Sequence, residues 1–456
     1  MEINLELLSI QNPWWQGTSL EFDPVIEVYS RQSLRVRPEI LDRFNFKKDC
    51  IYTWQGARGV GKTTAIKLLI KELIEDKKIN PKNIFYYSCH NIDTYEQLNE
   101  LIKIFLAWRQ DKKAKKFILI DEITIIKNWE KGINYLAKAG KFKDVSVFLV
   151  GSNLSKNELA KEADNKIIAS FDFSDFIKLI NPDLGKKLNK KNYPSYAKQL
   201  DYYLDIYNLT GGFISSLNSF KDKGAVDQKI YSNYLYWLIA DLAKIGRDVL
   251  LLRQIMEQVL FSLGRPVGYK TIARRTKART HLTVAEYLNI LESMFALKLV
   301  YQSDSKGKIS TSKAKKVYFR DPFLFWIFYS YIYGAISYWQ FSRQRLHQED
   351  VFSTLVENVV FSHLIKDETP KDWGQRVTYW RDNIKKQEIN FLVKTNKKIT
   401  PILIRYNKEI KEPDKKIFAQ VGFSQGIIIS QDKLDLTKKI KIMPLTYFLL
   451  FYQEFV

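Results

Sequence analysis

The chain has 456 residues, enough for two to four domains. Hydrophobic residues make up 46% and charged residues 27%, a balance that builds packed cores and excludes a disordered polymer. The formal net charge is +22, which favours a polyanion such as nucleic acid or an acidic membrane surface as partner. A general lysine enrichment of the genome is the alternative explanation.

The cysteine, histidine and apolar content indicates the compartment of the protein and whether it contains disulfides, a zinc site or a membrane span. Cys50 and Cys89 are too few for a disulfide framework, and the four histidines have no zinc-site spacing. Acidic Glu2 and Glu6 argue against a signal peptide. The uncharged run 322–342 is rich in tyrosine and serine, which suits a half-buried helix better than a membrane span. The sequence predicts a reducing, cytoplasmic, non-membrane protein.

Residues 45–175 alternate short apolar runs with helical patterns. This alternation predicts βαβ units and a parallel, doubly wound α/β sheet. The predicted strands are 50–54, 84–88, 117–120 and 145–150, and the predicted helices are 62–75, 95–108 and 128–138.

A glycine-rich motif lies between the first predicted strand and helix. Residues 56–64 (GARGVGKTT) satisfy G-x-x-x-x-G-K-[ST], the P-loop pattern. Its backbone N–H groups converge on phosphates at a helix N-terminus, while Lys62 reaches the β- and γ-phosphates and the Thr63 hydroxyl ligates Mg²⁺. The predicted nucleotide-binding residues are Gly56, Gly59, Val60, Gly61, Lys62, Thr63 and Thr64.

Two carboxylates follow the predicted strand 117–120. Asp121 is positioned to hold Mg²⁺, and Glu122 to orient and polarise an attacking water, so Glu122 and Lys62 are the predicted catalytic residues. The ends of parallel strands meet at the ligand-binding edge of an α/β sheet. The predicted cofactors are therefore ATP and Mg²⁺. Strand 145–150 ends in Ser152 and Asn153, which are predicted to contact the γ-phosphate or the water, with an ordinary turn as the alternative.

The middle of the chain carries half of the excess charge. Residues 151–350 hold 30 basic and 19 acidic groups, and 30 − 19 gives +11. Residues 181–198 are predicted to be an exposed connection within a helical lid region, 181–260. Residues 261–320 have a helix, a turn, a second helix and two strands, the outline of a winged helix. Its candidate contacts to DNA phosphates are Arg274, Arg275, Lys277, Lys306 and Lys308, with Lys313, Lys315 and Lys316 also assigned to the wing.

Several segments together resemble a family of prokaryotic, mainly archaeal-type, AAA-like P-loop ATPases with a winged helix and a C-terminal PD-(D/E)xK nuclease-like domain. The resemblance covers about residues 30–450 and rests on segments 56–64, 118–122, 126–129, 150–152, 318–323 and 357–361. It implies a P-loop domain at 1–180, a winged helix at 261–320 and a restriction-endonuclease-like α/β domain at 321–456. Family members usually carry a Gly-Arg step that is missing here, so the arginine finger is unassigned, and Arg247 and Arg253 are guesses from position alone.

The C-terminal segment departs from the nuclease pattern. Glu357 and Glu388 are retained, but Asn390, Leu403 and Arg405 stand where the pattern has an acid, an acid and a lysine. Because leucine cannot bind a cation and asparagine is uncharged, Mg²⁺ should be poorly held there. A degenerate domain is predicted, and an active nuclease is disfavoured.

The sequence therefore favours a DNA-associated ATPase. A slowly hydrolysing nucleotide switch that recruits partners is the alternative, and an ATP-coupled nuclease is the third hypothesis. A homo-oligomer is compatible with the pattern. Trp14 and Trp15 are predicted either to pack as a staple or to form an exposed interaction tag.

Overall fold

The computed structural model describes residues 5–42, 50–108, 114–152, 154, 159, 163–366, 368, 376–396 and 398–456. The chain divides into two compact units, the first ending at Ala169 and the second beginning at Ser170. The first unit is the predicted P-loop segment without its last eleven residues. The predicted lid, winged helix and C-terminal domain all fall in the second unit, and their separate boundaries stay predictions.

Helices and parallel strands alternate in the first unit. Its elements, among the described residues, are α1 Leu5–Gln11, α2 Pro24–Ser30, β1 Ile51–Gln55, α3 Lys62–Glu75, β2 Ile84–Ser88, α4 Tyr95–Trp108, β3 Lys116–Asp121, α5 Trp129–Lys138, β4 Val145–Gly151 and β5 Asp164–Ile167.

The five strands form one parallel sheet in the order β2-β3-β4-β1-β5. All seven residues of β4 are buried, as expected for a strand covered on both faces by helices. The predicted α/β class with a parallel P-loop sheet is confirmed. Strand β5 was not predicted, because its residues 164–167 are mostly polar and only half buried, as suits an edge strand.

The N-terminal segment caps the outer edge of β2 with side chains. Asn12 accepts a hydrogen bond from the Tyr86 N–H (2.7 Å) and donates one to the Tyr86 carbonyl (2.9 Å). The indole N–H groups of Trp14 and Trp15 both donate to the Ile84 carbonyl. These contacts satisfy an edge that would otherwise invite pairing with another strand. Both tryptophans are buried, so the packing alternative is correct for them.

The second unit combines helices with a mixed sheet. Its elements, in the part of the chain that is described, are α6 Phe173–Ile180, α7 Pro182–Lys187, α8 Tyr193–Thr210, α9 Ile214–Lys223, α10 Gln228–Lys244, α11 Val249–Phe261, α12 Tyr269–Arg274, α13 His281–Ser293, β6 Leu297–Val300, β7 Gln302–Ser303, β8 Ile309–Ser310, β9 Lys316–Phe319, α14 Pro322–Ile332, α15 Tyr338–Arg345, α16 Glu349–Leu364, β10 Val377–Asp382, β11 Gln387–Lys394, β12 Ile399–Ile404, α17 Glu412–Val421, β13 Gly426–Ser430, β14 Ile440–Pro444 and α18 Leu445–Phe451.

The predicted connection 181–198 is wrong, because it contains α7 and the start of α8. Asn181 caps α7 by accepting a hydrogen bond from the Leu184 N–H at 3.0 Å. Pro182 and Pro194 occupy the first turns of α7 and α8, where proline is tolerated because its missing N–H has no helical partner. Residues that looked like loop composition are therefore helix starts.

Helices α12 and α13 are followed by the antiparallel pair β6–β9, in the order expected for a winged helix. The small hairpin β7–β8 belongs to a seven-stranded sheet with the order β14-β13-β12-β11-β10-β7-β8. The predicted domain boundary at residue 320 therefore separates β7 and β8 from the other strands of the same sheet. The uncharged run 322–342 is split between α14 and α15, and no helix in the described ranges has the length and apolarity to cross a membrane.

His363 on α16 links two helices of the second unit. It is buried, its Nδ1 lies 2.8 Å from the Val359 carbonyl oxygen, and its Nε2 accepts a hydrogen bond from the Phe173 N–H at 2.9 Å. A neutral ring with its proton on Nδ1 satisfies both contacts. Burial lowers the pKa of His363 to about 4.

This lowered pKa predicts a pH-dependent stability. The unfolded chain, with an ordinary histidine pKa of about 6.5, takes up a proton before the folded chain does, so stability is lost as pH falls from about 6.5 to 4. Between pH 7 and pH 5 the loss due to His363 is about 2 kcal/mol. In urea unfolding, the free energy of unfolding of His363→Gln should fall less between pH 7 and pH 5 than that of the wild type. His281→Gln, at an exposed position, should lose as much stability as the wild type.

Candidate functional site

The P-loop links β1 to α3 at the carboxyl edge of the parallel sheet. Gly59 and Gly61 have φ of 82° and 98°, a left-handed region that favours glycine. Gly56 is required for a different reason, since a Cβ there would lie 2.2 Å from the Ile168 carbonyl oxygen. The segment after β5 thus approaches the start of the loop too closely for any side chain.

Lys62 is the first residue of α3 and its side chain turns back into the loop. It is 4% exposed, and its Nζ donates to the carbonyls of Gly56 (3.2 Å) and Ala57 (3.1 Å). These contacts hold the positively charged ammonium inside the loop. Lys62 is therefore held where an anion bound by the loop would be attracted to it.

Thr63 and Asp121 come together as the sequence predicts. The Thr63 hydroxyl donates to Asp121 Oδ2 at 2.8 Å, and the Glu122 N–H donates to Asp121 Oδ1 at 3.0 Å. Burial raises the pKa of Asp121 and the charge on Glu122 raises it further, against the lowering effects of Thr63 and Lys62.

A hydroxyl and a carboxylate in contact are oxygen ligands suited to Mg²⁺, which takes one or two protein ligands besides phosphates and waters. No group of three or more His, Cys, Asp and Glu side chains in the described ranges is arranged to hold a metal by itself. The donor set thus fits Mg²⁺ that arrives with a nucleotide, and does not form a dedicated metal cage.

Glu122 has a left-handed backbone, with φ of 51° and ψ of 35°. Such a conformation is uncommon for a non-glycine residue and occurs often at functional sites. Its side chain is half exposed, unlike the buried Asp121 beside it. The turn thus directs the two neighbouring carboxylates into different surroundings.

The end of β4 lies beside the P-loop. Gly151 pairs in register with Gln55, so Ser152 follows at the same edge as Gly56. A Cβ at Gly151 would lie 2.7 Å from a Thr124 methyl carbon, which shows how tightly this edge is packed. The second predicted sensor residue, Asn153, lies outside the described residues.

The sequence patterns did not predict the side chains that support Asp121 from behind, those of Tyr86, Lys67 and Asp23. The Tyr86 hydroxyl donates to Asp121 Oδ2 at 3.4 Å, and the Lys67 ammonium lies 3.7 Å from the Tyr86 ring centroid. Lys67 forms a buried ion pair with Asp23 at 2.9 Å. Burial and the charge of Asp121 raise the pKa of Tyr86, which keeps its proton available to Asp121. The only signal in the sequence for these contacts is the position of Tyr86 on β2, the strand next to the one that ends in Asp121.

The predicted DNA contacts lie in the second unit and are exposed. This holds for Arg274, Arg275, Lys277, Lys306 and Lys308. The assignment of Lys315 and Lys316 to the wing surface is wrong, because they are 8% and 0% exposed. Both side chains are drawn inward by acceptors, the Thr311 carbonyl for Lys315 and the Glu357 carboxylate for Lys316.

The two arginines considered for a lid have partners within the second unit. Arg247 Nη1 lies 2.8 Å from Glu286 Oε2, and Arg253 Nη2 donates to the Ile332 carbonyl at 3.3 Å. Neither contact identifies an arginine finger.

The residues that depart from the nuclease pattern have structural partners. Asn390 Oδ1 accepts from the Ile404 N–H at 2.9 Å, Leu403 is 0% exposed, and Arg405 Nε lies 2.6 Å from Asp414 Oδ1. None of the three supplies an acid to a cation. The ligand set that the resemblance implies is therefore incomplete at residues 390, 403 and 405.

Three family models match segments of the chain, and none covers half of it. Residues 48–177 match a model described as an AAA domain. Residues 201–328 and 352–448 match two models that are both described as domains of unknown function. The first match shows that the N-terminal segment is similar to AAA domains, in agreement with its P-loop geometry.

Two relatives extend the similarity at low identity. One is an uncharacterized protein of Haemophilus influenzae, 24% identical over 270 residues, which are 57% of this chain and 64% of that protein. The other is an uncharacterized ATP-binding protein of Methanocaldococcus jannaschii, 27% identical over 149 residues, 33% of this chain and 36% of that protein. The match spans less than two thirds of either relative.

Similar solved structures include two proteins of Aeropyrum pernix. The ORC2 protein in ADPNP-ADP complexes is 13% identical, with 66% of this chain and 95% of that chain covered and a TM-score of 0.35. The ORC1 protein in complex with DNA is 12% identical, with 66% and 88% covered and a TM-score of 0.29. TM-scores of this size give no basis for transferring function.

The close approach at Gly56 generates a prediction. Gly56→Ala should loosen the end of β1 and abolish binding of an ATP analogue, because its Cβ would meet the Ile168 carbonyl. Gly140→Ala is the matched control: its φ is 67° with open space around it, so it should cost only about 1 kcal/mol. Hydrogen exchange of the β1 amides distinguishes the two variants, and unchanged exchange in Gly56→Ala would contradict the close approach.

Proposed function

We propose that this chain is a Mg²⁺-dependent ATPase whose ATP site is the P-loop of the first unit. The observation that carries the proposal is the 2.8 Å hydrogen bond between the Thr63 hydroxyl and the Asp121 carboxylate, next to the buried ammonium of Lys62. An anion-attracting group and two oxygen ligands for Mg²⁺ thus lie at one end of the loop.

Each residue of the site has a role in this proposal. The backbone N–H groups of the loop bind the phosphates at the N-terminus of α3, and Lys62 stabilises charge on the transferred phosphoryl group. Thr63 and Asp121 would hold Mg²⁺, which neutralises phosphate charge when bound. Glu122 orients the attacking water and accepts its proton. Ser152, at the end of β4, would contact the γ-phosphate or that water.

Substitutions separate binding from hydrolysis. Lys62→Ala should lose ATP binding, since it removes the cation that faces the phosphates. Glu122→Gln should bind ATP but hydrolyse it about 100-fold more slowly or worse, because an amide cannot accept the proton. Equilibrium binding and steady-state phosphate release measure the two effects. Glu100→Gln, at an exposed position of α4, should leave both unchanged.

Two outcomes would contradict the proposed roles. Wild-type turnover by Glu122→Gln would exclude Glu122 as the base. Tight ATP binding by the wild type without turnover at any protein concentration, with or without DNA, would favour the nucleotide-controlled scaffold.

We also propose that the basic residues of α12, the segment after it and the β7–β8 hairpin bind the phosphate backbone of duplex DNA. Five exposed cations there support contacts that do not depend on base sequence. Glu286 of α13 is paired with Arg247, and Glu292 is buried, so the second helix offers little for reading bases.

Salt dependence tests the DNA surface. Replacing Arg274, Arg275 and Lys277 with alanine should weaken duplex binding and make the slope of log K against log salt shallower by about three, roughly one per phosphate contact. The control replaces three exposed lysines outside this surface, Lys186, Lys187 and Lys191, and removes the same charge. Equal effects of the two triple variants would contradict a localised surface. Fluorescence anisotropy at several salt concentrations gives both slopes.

A further inference from the structure

A lysine occupies the centre of a carboxylate cluster in the second unit. Lys316 of β9 is 0% exposed, and its Nζ lies 2.8 Å from Glu357 Oε1 and 2.5 Å from Glu388 Oε1. Glu357 lies on α16 and Glu388 on β11. One ammonium group therefore joins three elements of the second unit.

The chain supplies further donors to the same two carboxylates. The Tyr318 hydroxyl donates to Glu357 Oε1, and Arg381 Nη1 lies 3.2 Å from Glu388 Oε2. Oxygens of two carboxylates converge on one buried positive group, an arrangement that otherwise surrounds a bound cation. The cation here is part of the polypeptide.

A divalent ion does not fit this cluster while the ammonium is present. An ion placed between Glu357 and Glu388 would overlap Lys316 Nζ and repel it at short range. The neighbouring positions add no replacement ligand, because Asn390 binds the backbone and Leu403 lies in the core. The divalent cation that the nuclease-like resemblance implies is thus excluded by a residue from outside the nuclease-like pattern.

Both carboxylates can be reached from solvent. Glu357 lines a cavity of about 280 Å³ and Glu388 a cavity of about 240 Å³. Asn390 and Arg405 line both cavities, so the cavities adjoin each other. An ion could reach the two carboxylates through these cavities if the ammonium were absent.

We propose that Lys316 is the built-in cation of a carboxylate site, and that without its ammonium Glu357 and Glu388 bind one divalent cation in its place. In the wild type, Lys316 compensates the charges of Glu357 and Glu388 whatever the concentration of free metal. It thereby ties the strand β9 to α16 and β11 without a metal ion. This role is independent of the P-loop and of the proposed ATPase activity.

Manganese binding tests the substitution directly. Full-length, nucleotide-free Lys316→Met should bind about one equivalent of Mn²⁺ at the cluster. Electron paramagnetic resonance of the free ion measures this binding. The variant should also unfold at a higher temperature when Mn²⁺ is present. The wild type and Lys316→Arg, which keep the cation, should show neither effect. Lys316→Met/Glu357→Gln, which removes one ligand, should lose the added binding.

The proposal is overturned if Lys316→Met binds no more Mn²⁺ than the wild type, or if the double variant binds as well as the single one. It is equally overturned if wild-type binding of Mn²⁺ is abolished by Glu357→Gln, since the site would then hold metal with the lysine present. If Lys316→Met does not fold without metal, Lys316→Ser, which leaves room for a hydrated ion, is titrated in the same way. Failure of Mn²⁺ to restore a folding transition to both variants also overturns the proposal.

Discussion

The hydrogen bond from Thr63 to Asp121 depends on the parallel arrangement of the whole first sheet. Thr63 lies on α3, which follows β1 and the P-loop, whereas Asp121 ends β3, and β4 lies between β1 and β3 in the sheet. Thr63 and Asp121 can meet because parallel strands end at one edge of the sheet, where residues at and after the strand ends converge. The same edge receives Ser152 from β4 and the strained turn at Glu122. Sheet topology is therefore the constraint that brings a hydroxyl, two carboxylates and a buried ammonium together.

Each unit contains a buried lysine whose ion pairs connect separate segments of the chain. Lys67 pairs with Asp23 behind Asp121 and Tyr86, and Lys316 lies between two glutamates in the second unit. Removing one partner of such a pair typically costs about 3–5 kcal/mol, because the remaining charge stays buried and unpaired. Because acidic partners match these lysines, they account for none of the net charge of +22. The exposed arginines and lysines of the α12 region contribute to that excess.

Local patterns in the sequence predicted much of the first unit. The bounds of α3, α4 and β2 agree residue for residue with the apolar periodicity, because burial of one helix face or of a whole strand leaves a regular spacing. The P-loop and its two acids followed from the same reading. Helix α7 was missed, because lysine, asparagine and proline also occur at helix starts. The polar edge strand β5 was missed for lack of an apolar pattern.

By itself the sequence determined the P-loop motif and the two acids that follow β3, since a motif specifies residue type and spacing over a few neighbouring positions. Tertiary structure decided how the charged residues are used. Lys308 and Lys316 lie in one basic run, yet the first is exposed and the second is buried against Glu357, forty-one residues further along the chain. A lysine's environment depends on which distant carboxylates the fold places beside it, because electrostatic attraction and desolvation act through space and not along the sequence.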